Sequence, residues 1–214
     1  MAYTDFTLET VESQLGVRAR AGDLFPGLAP VPVPDWLRAL LDRGMQLALV
    51  SEKARSEFIV APILLACREL SGGVVAIFSG QRLDVDPGRG LSGECDFLLA
   101  LSEPIPRLRA PIATVVEAKK NDIEAGLAEC IAQMVAARDF NDREQAPVPG
   151  VHGCVTTAEA WQFLRLEGSA VTIDRVRIYI DNIGAILGAF QAIVARSRPA
   201  AAVTGDAEPI RGGP

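Results

Sequence analysis

Histidine is almost missing from this 214-residue chain: His152 is the single one. The four cysteines, Cys67, Cys95, Cys130 and Cys154, lie far apart in apolar runs and form no Cys-x-x-Cys pair. These two shortages argue against a structural zinc site. They leave the thiols to be read as buried and free in a reducing compartment. Positive charge is also in deficit. Lys and Arg total 21 against 27 Asp and Glu, a net charge of −6, which disfavours a broadly basic nucleic-acid surface but leaves room for a local basic stripe. The first ten residues carry two acids and lack the basic-then-apolar pattern of a secretory leader. No apolar run is long enough to span a bilayer. The expectation is a cytoplasmic protein without a membrane partner. Neither an internal repeat nor a helix-turn-helix or zinc-finger reader is visible.

What the chain does have is apolar content, 49% of its residues, enough for one domain with a sizeable core. Residues 1–34 read as a lead-in, with alternation over 15–21 suggesting a short edge strand and a Pro- and Gly-rich loop over 23–34. One domain is expected over 35–197. From 198 to 214 the Ala-, Gly- and Pro-rich end has little to bury and is expected to be disordered. A short amphipathic helix is expected over 35–44, with Asp35 as N-cap, Gly44 as stop, and Trp36, Leu40 and Leu41 facing a core. A second, deeply buried helix spans 51–70, bent or split by Pro62. Strands follow over 73–84, 91–101 and 112–119, the first two joined as a hairpin through the Asp86-Pro87-Gly88-Arg89-Gly90 turn. Asn121 or Asp122 then caps a helix whose stripe is Ile123, Leu127, Cys130, Ile131 and Met134, flanked by Glu129 and Gln133. Strand candidates at 151–157, 161–166 and around Val176, Ile178 and Ile180 precede a last apolar helix over 182–195.

The chain is organised around residues 93–133. Its two apolar runs have the composition of buried strands, where an unpaired carboxylate costs several kcal/mol or more. Yet Asp96, Glu117 and Lys119 sit in them. Alternation along a strand sends Glu117 and Lys119 to one face, and Val116 and Ala118 to the other. Two carboxylates and an ammonium on neighbouring strands could share a pocket in which a divalent cation offsets the negative charge. Glu57 adds a further acid, on a helix stripe with Ala54, Ala61 and Leu64. Metal-assisted phosphodiester hydrolysis needs such parts: carboxylates to hold Mg²⁺, and an ammonium to orient water or stabilise developing charge.

The pattern Glu57 … Asp96 … Glu117-Ala118-Lys119, in a helix–strand–strand–strand–helix frame, resembles the PD-(D/E)XK superfamily. The resemblance covers roughly residues 51–157. It implies a restriction-endonuclease-like αβββαβ core of α/β (α+β) class, a mixed central sheet flanked by helices. It also implies metal ligands at Asp96 and Glu117 with Glu57 completing the set, and a water-assisting role for Lys119. Gln133 is the match to a Gln that some members carry on the second helix. Cys95 stands where the family name has Pro, and that Pro is commonly absent.

Each residue also has a plainer reading. Glu117 and Lys119 can form an ion pair at a strand end, Asp96 can pair with Arg82 across the hairpin, and Glu57 can pair with Lys53 or reach water. Gln133 can simply be solvated, and Glu94 can be a supporting acid or a solvated one. Two functions are therefore expected to compete. One is an Mg²⁺-dependent nuclease (Mn²⁺ substituting) acting on nucleic acid, DNA the expected substrate, with Arg82, Arg89, Arg107, Arg109, Lys119 and Lys120 available to phosphates. The other is a non-catalytic module of the same fold that binds a protein or nucleic-acid partner. The apolar last helix is compatible with a homodimer and equally with packing in its own core.

Overall fold

The computed structural model describes residues 1–48 and 51–198. The tail expected to be disordered lies, from residue 199 on, outside the described residues. The fold is mixed α/β: an eight-stranded mixed sheet with helices on both faces. The elements that build it are α1 (Leu8–Leu15), β1 (Arg18–Gly22), α2 (Asp35–Ala48), α3 (Glu52–Arg55), a π-helical turn (Ser56–Val60), α4 (Ala61–Leu70), β2 (Ala76–Arg82), β3 (Glu94–Ala100) and β4 (Ile112–Ala118). They continue with α5 (Ile123–Arg143), β5 (Val151–Thr156), β6 (Ala160–Glu167), β7 (Ala170–Asp174), β8 (Ile178–Tyr179) and α6 (Ile183–Ser197). Strands run in the order β1-β7-β6-β5-β4-β3-β2, with β8 beside β6. The β4–β5 and β1–β7 pairs are parallel and the others antiparallel.

The centre of the sheet is β4, all of whose residues are buried, as expected of a strand covered on both faces. Val115 packs into the core beneath α1 and α5, and its neighbour Val116 into the core beneath α2, α4 and α6. The β2–β3 hairpin forms as expected, with Asp86 capping the Pro87–Arg89 turn. The lead-in is more structured than its sequence suggests: Tyr3, Phe6, Val11, Leu15 and Val17 enter the first core, and β1 is indeed an edge strand. Between Val171 and Ile180 the expected single strand is two, β7 and β8, with Val176 exposed between them. All four cysteines are buried and free. Among the described residues no helix is long and apolar enough to cross a membrane.

The helix over 52–70 shows how Pro62 is accommodated. Proline lacks an N–H and crowds the carbonyl four residues back, here that of Phe58. The chain widens before it: the Ala61 N–H bonds to the Ser56 carbonyl, one residue further back than in an α-helix. The Phe58 carbonyl lies instead against α2, where a Cβ on Gly44 would sit 2.4 Å from its oxygen. Gly44 is therefore not the stop expected from sequence but a close-approach residue within α2. The helix continues to Ala48 and presents Leu37 and Leu41, not Leu40, to the core.

Two outcomes follow from this packing. Gly44→Ala should destabilise the protein by about 1–3 kcal/mol in urea unfolding, through the clash with Phe58, although Ala ordinarily stabilises a helix interior. The second concerns His152, buried in β5 with neither ring nitrogen hydrogen-bonded. Burial, with the nearby Arg165 and Arg196 charges, pushes its pKa down to about 3. The unfolded chain then binds more protons than the folded one between the ordinary histidine value and about 3, so stability falls as pH drops through that window. Relative to His152→Leu, the wild type should lose up to about 1.4 kcal/mol per pH unit there, read from urea unfolding at a series of pH values.

Candidate active site

The β3–β4 backbone ladder ends, on the side of the β2–β3 turn, at Phe97 opposite Val116. The next donor on β4, the Ala118 N–H, bonds to the Asp96 side chain, Oδ2 at 2.7 Å. A carboxylate thus takes the position of a strand carbonyl, and the end of the sheet opens around it. Asp96 borders a cleft of about 330 Å³ whose wall includes Glu52, Lys53, Ser56, Glu57, Ser79, Gly80 and Glu94.

On β4, Glu117 is 4% exposed. Its Oε1 meets Lys119 Nζ at 2.7 Å, and its Oε2 accepts a hydrogen bond from Gln133 Nε2 at 2.8 Å. Lys119 follows the last residue of β4, and its N–H donates to the Thr156 carbonyl of β5 at 2.8 Å. Its ammonium also donates to Glu129 Oε2 at 2.6 Å. Glu129 and Gln133 are both buried on α5. Asp122 caps that helix through the Ala125 N–H, as expected.

The electrostatics follow from three carboxylates gathered around one ammonium. Burial pushes the Glu117 pKa up to about 8, the Asp96 and Glu129 charges add to it, and Lys119 opposes. Asp96 is raised above the ordinary carboxylate value by burial, aided by Glu52 and Glu129, against the Ala118 N–H and Lys119. Burial works against the charge on Lys119, but Glu117 and Glu129 outweigh it and hold its pKa above the usual lysine value. With all three acids ionised the cluster carries excess negative charge in a largely dehydrated place.

Asp96, Glu117, Lys119 and Gln133 are thus brought together. Glu57 stands apart: it lines the cleft beside Asp96 but is exposed, with Lys53 Nζ 3.8 Å from its carboxylate. The first-helix acid whose charge Asp96 feels is Glu52, which the motif reading did not select. Glu129 was also missed as a site residue; its signal was a four-residue spacing from Gln133 on one helix face. Arg82 bonds Asp84, not Asp96, at 2.9 Å, and Arg89 bonds Asp139 at 3.0 Å. Arg107 and Arg109 lie on the β3–β4 connection, at the opposite end of those strands. Lys120 is exposed next to the site.

Among the described residues no three or more His, Cys, Asp or Glu side chains form a ready-made metal cluster. Mg²⁺ rarely needs one, being bound through one or two carboxylates with waters and substrate oxygens. Asp96 and Glu117 are the two carboxylates that could serve in that way, and Gln133 Oε1, on the amide that bonds Glu117, is a buried acceptor with no partner. The donor set is all oxygen and suits a hard divalent cation. Compared with known proteins, the chain matches no family model and no curated protein sequence.

The raised pKa of Glu117 has a measurable consequence. The folded state binds more protons than the unfolded one between the ordinary glutamate value and about 8, so this residue's contribution to stability falls as pH rises through that window. Glu117→Gln, neutral at every pH, should therefore gain in melting temperature relative to wild type as pH is raised from 5 to about 8, in metal-free buffer by differential scanning fluorimetry.

Proposed function

We propose that this protein is an Mg²⁺-dependent nuclease of the PD-(D/E)XK type, acting on DNA. The observation that carries the reading is the meeting of Asp96, Glu117, Lys119 and Gln133 at one end of β3 and β4. Their elements follow the order helix, β2, β3, β4, α5, β5, with β5 parallel to β4, an order that supports the restriction-endonuclease-like reading. Excess negative charge in a dry setting is what a divalent cation relieves, and the two carboxylates named are its expected ligands. Glu57 is available as a third oxygen, since an exposed pair such as that with Lys53 is worth little.

Mg²⁺ at Asp96 and Glu117 would supply polarisation of a phosphoryl oxygen and acidification of a water. The protein's own contributions are distinct. Lys119 Nζ, fixed at the strand end, orients the attacking water or meets charge developing on the phosphate. Gln133 holds the Glu117 carboxylate in orientation through Oε2. The open cleft beside Asp96 gives a phosphodiester backbone a way in, with Lys53 in its wall. A competing reading, a non-catalytic module that binds a partner, draws support from the acidic balance and from Lys119 being tied between two carboxylates.

Calorimetry and cleavage separate the two. Wild type should bind Mn²⁺ or Mg²⁺, and Asp96→Ala should not. Cleavage of a plasmid or oligonucleotide should fall by about 10²–10⁴-fold in Asp96→Ala and Lys119→Ala, with melting temperatures showing both variants folded. Absence of metal binding in wild type, repeated with a DNA oligomer present, would sink the nuclease reading in favour of the binding module. Full activity in both variants would remove this site from the chemistry.

A further inference from the structure

On α5, Gly126, Glu129 and Gln133 are spaced three and four apart and so occupy one face, which lies along the end of β4. Each meets the Glu117–Lys119 pair differently. At Gly126 a Cβ would lie 3.0 Å from Lys119 Cγ and 2.7 Å from Val155 Cγ1, so only glycine lets the lysine stem lie flat on the helix. One turn on, Glu129 Oε2 receives the Lys119 ammonium at 2.6 Å. After a further turn, Gln133 Nε2 bonds Glu117 Oε2 at 2.8 Å. Glu129 is 8% exposed, and among the described residues Lys119 is its one ion-pair partner.

We propose that Glu129 is a positioning residue that holds the Lys119 ammonium in the site independently of Glu117. The proposal rests on the nuclease reading for its purpose but not for its geometry. A lysine tied to Glu117 alone would lose its anchor whenever that carboxylate turned to a cation, and its flexible stem would let the ammonium leave for water. The second anchor, on a different element, removes this conflict. Gly126 restricts the stem and Glu129 fixes the tip, so Glu117 is free to change partner without releasing Lys119.

The test uses the full-length chain labelled with ¹⁵N. The Lys119 ammonium resonance is assigned by its loss in Lys119→Arg, and its proton exchange with water is measured in wild type, Glu129→Gln and Glu129→Asp. Exchange should quicken by about 10-fold or more in Glu129→Gln, the effect of losing one charge-assisted hydrogen bond. Glu129→Asp, which keeps the charge on a shorter stem, should fall between. Saturating Mg²⁺ should leave the wild-type resonance protected but speed exchange further in Glu129→Gln, where Glu117 is the sole remaining anchor. Cleavage should show kcat lower by about 10²-fold in Glu129→Gln with KM unchanged, the expected cost of misplacing one catalytic group. Wild-type exchange rates in folded Glu129→Gln would overturn the proposal, as would loss of Mg²⁺ binding in that variant, which would make Glu129 a ligand instead. If wild type neither binds metal nor cleaves DNA, the nuclease reading fails while the metal-free exchange rates still decide the role of Glu129.

Discussion

A carboxylate buried at the end of a central strand is a standing expense in this molecule, and much of the surrounding structure serves to contain it. Glu117 gives up water on β4, which is enclosed on both faces, and that desolvation is what lifts its pKa. Its two oxygens are then occupied separately, one by an ammonium and one by an amide. The ammonium belongs to the residue that carries the β4–β5 pairing past the strand end, and the amide to α5. Lys119 needs the alternation of β4 to project on the same face, and Gln133 needs α5 to run back across the sheet at the right height. A core filled by hydrocarbon alone would be simpler to stabilise. Retaining three acids and a lysine there is the feature that sets this region apart from the rest of the core.

The opening of the sheet beside Glu117 is equally tied to side-chain choice. Asp96 satisfies the Ala118 N–H that β3 would otherwise take, so the strands can part without stranding a buried donor. Across the cleft, the π turn before Pro62 carries Ser56 and Glu57 in its wall. Two local irregularities, each with an identifiable cause in one residue, therefore frame the same cavity. The helix packing that supports the far side of the turn depends in addition on Gly44, whose missing side chain lets α2 approach the Phe58 carbonyl.

Much of this was legible from residue order. The strand runs, the Asp86–Gly90 turn, the Asp122 cap and the grouping of Asp96, Glu117 and Lys119 follow from periodicity and from the oddity of charge inside apolar segments, whereas Gln133 joined them only through the family resemblance. What escaped detection was tertiary. Glu129 looked like a stripe-flanking acid because amphipathic spacing does not say that a lysine from a neighbouring strand will meet it. Glu57 read as an acid on an apolar helical stripe or as a partner of Lys53; it is exposed on the cleft with Lys53 near its carboxylate, and Glu52, earlier on the same helical segment, is an acid whose charge reaches Asp96. Gly44 reads as a terminator in isolation; only its contact with a carbonyl of another helix explains a glycine within α2. The lead-in carried short apolar residues at modest density, too few to announce α1 yet enough to anchor it against α5 once the sheet exists.

The bond from the Lys119 N–H to the Thr156 carbonyl carries a consequence for how the molecule comes into being. Parallel pairing of β4 with β5 cannot be made by a tight turn; the whole of α5 must first cross the sheet face. The backbone at Lys119 is therefore fixed by a residue that arrives only after the crossover is complete. Contacts of such sequence separation form slowly, because loop-closure entropy is lost before they return anything. A nascent chain that has finished the β2–β3–β4 meander thus holds Asp96 and Glu117 near one another while the Lys119 backbone still lacks its β5 partner. The full set of partners around Lys119, side chain and backbone, therefore exists only once both α5 and β5 are in place.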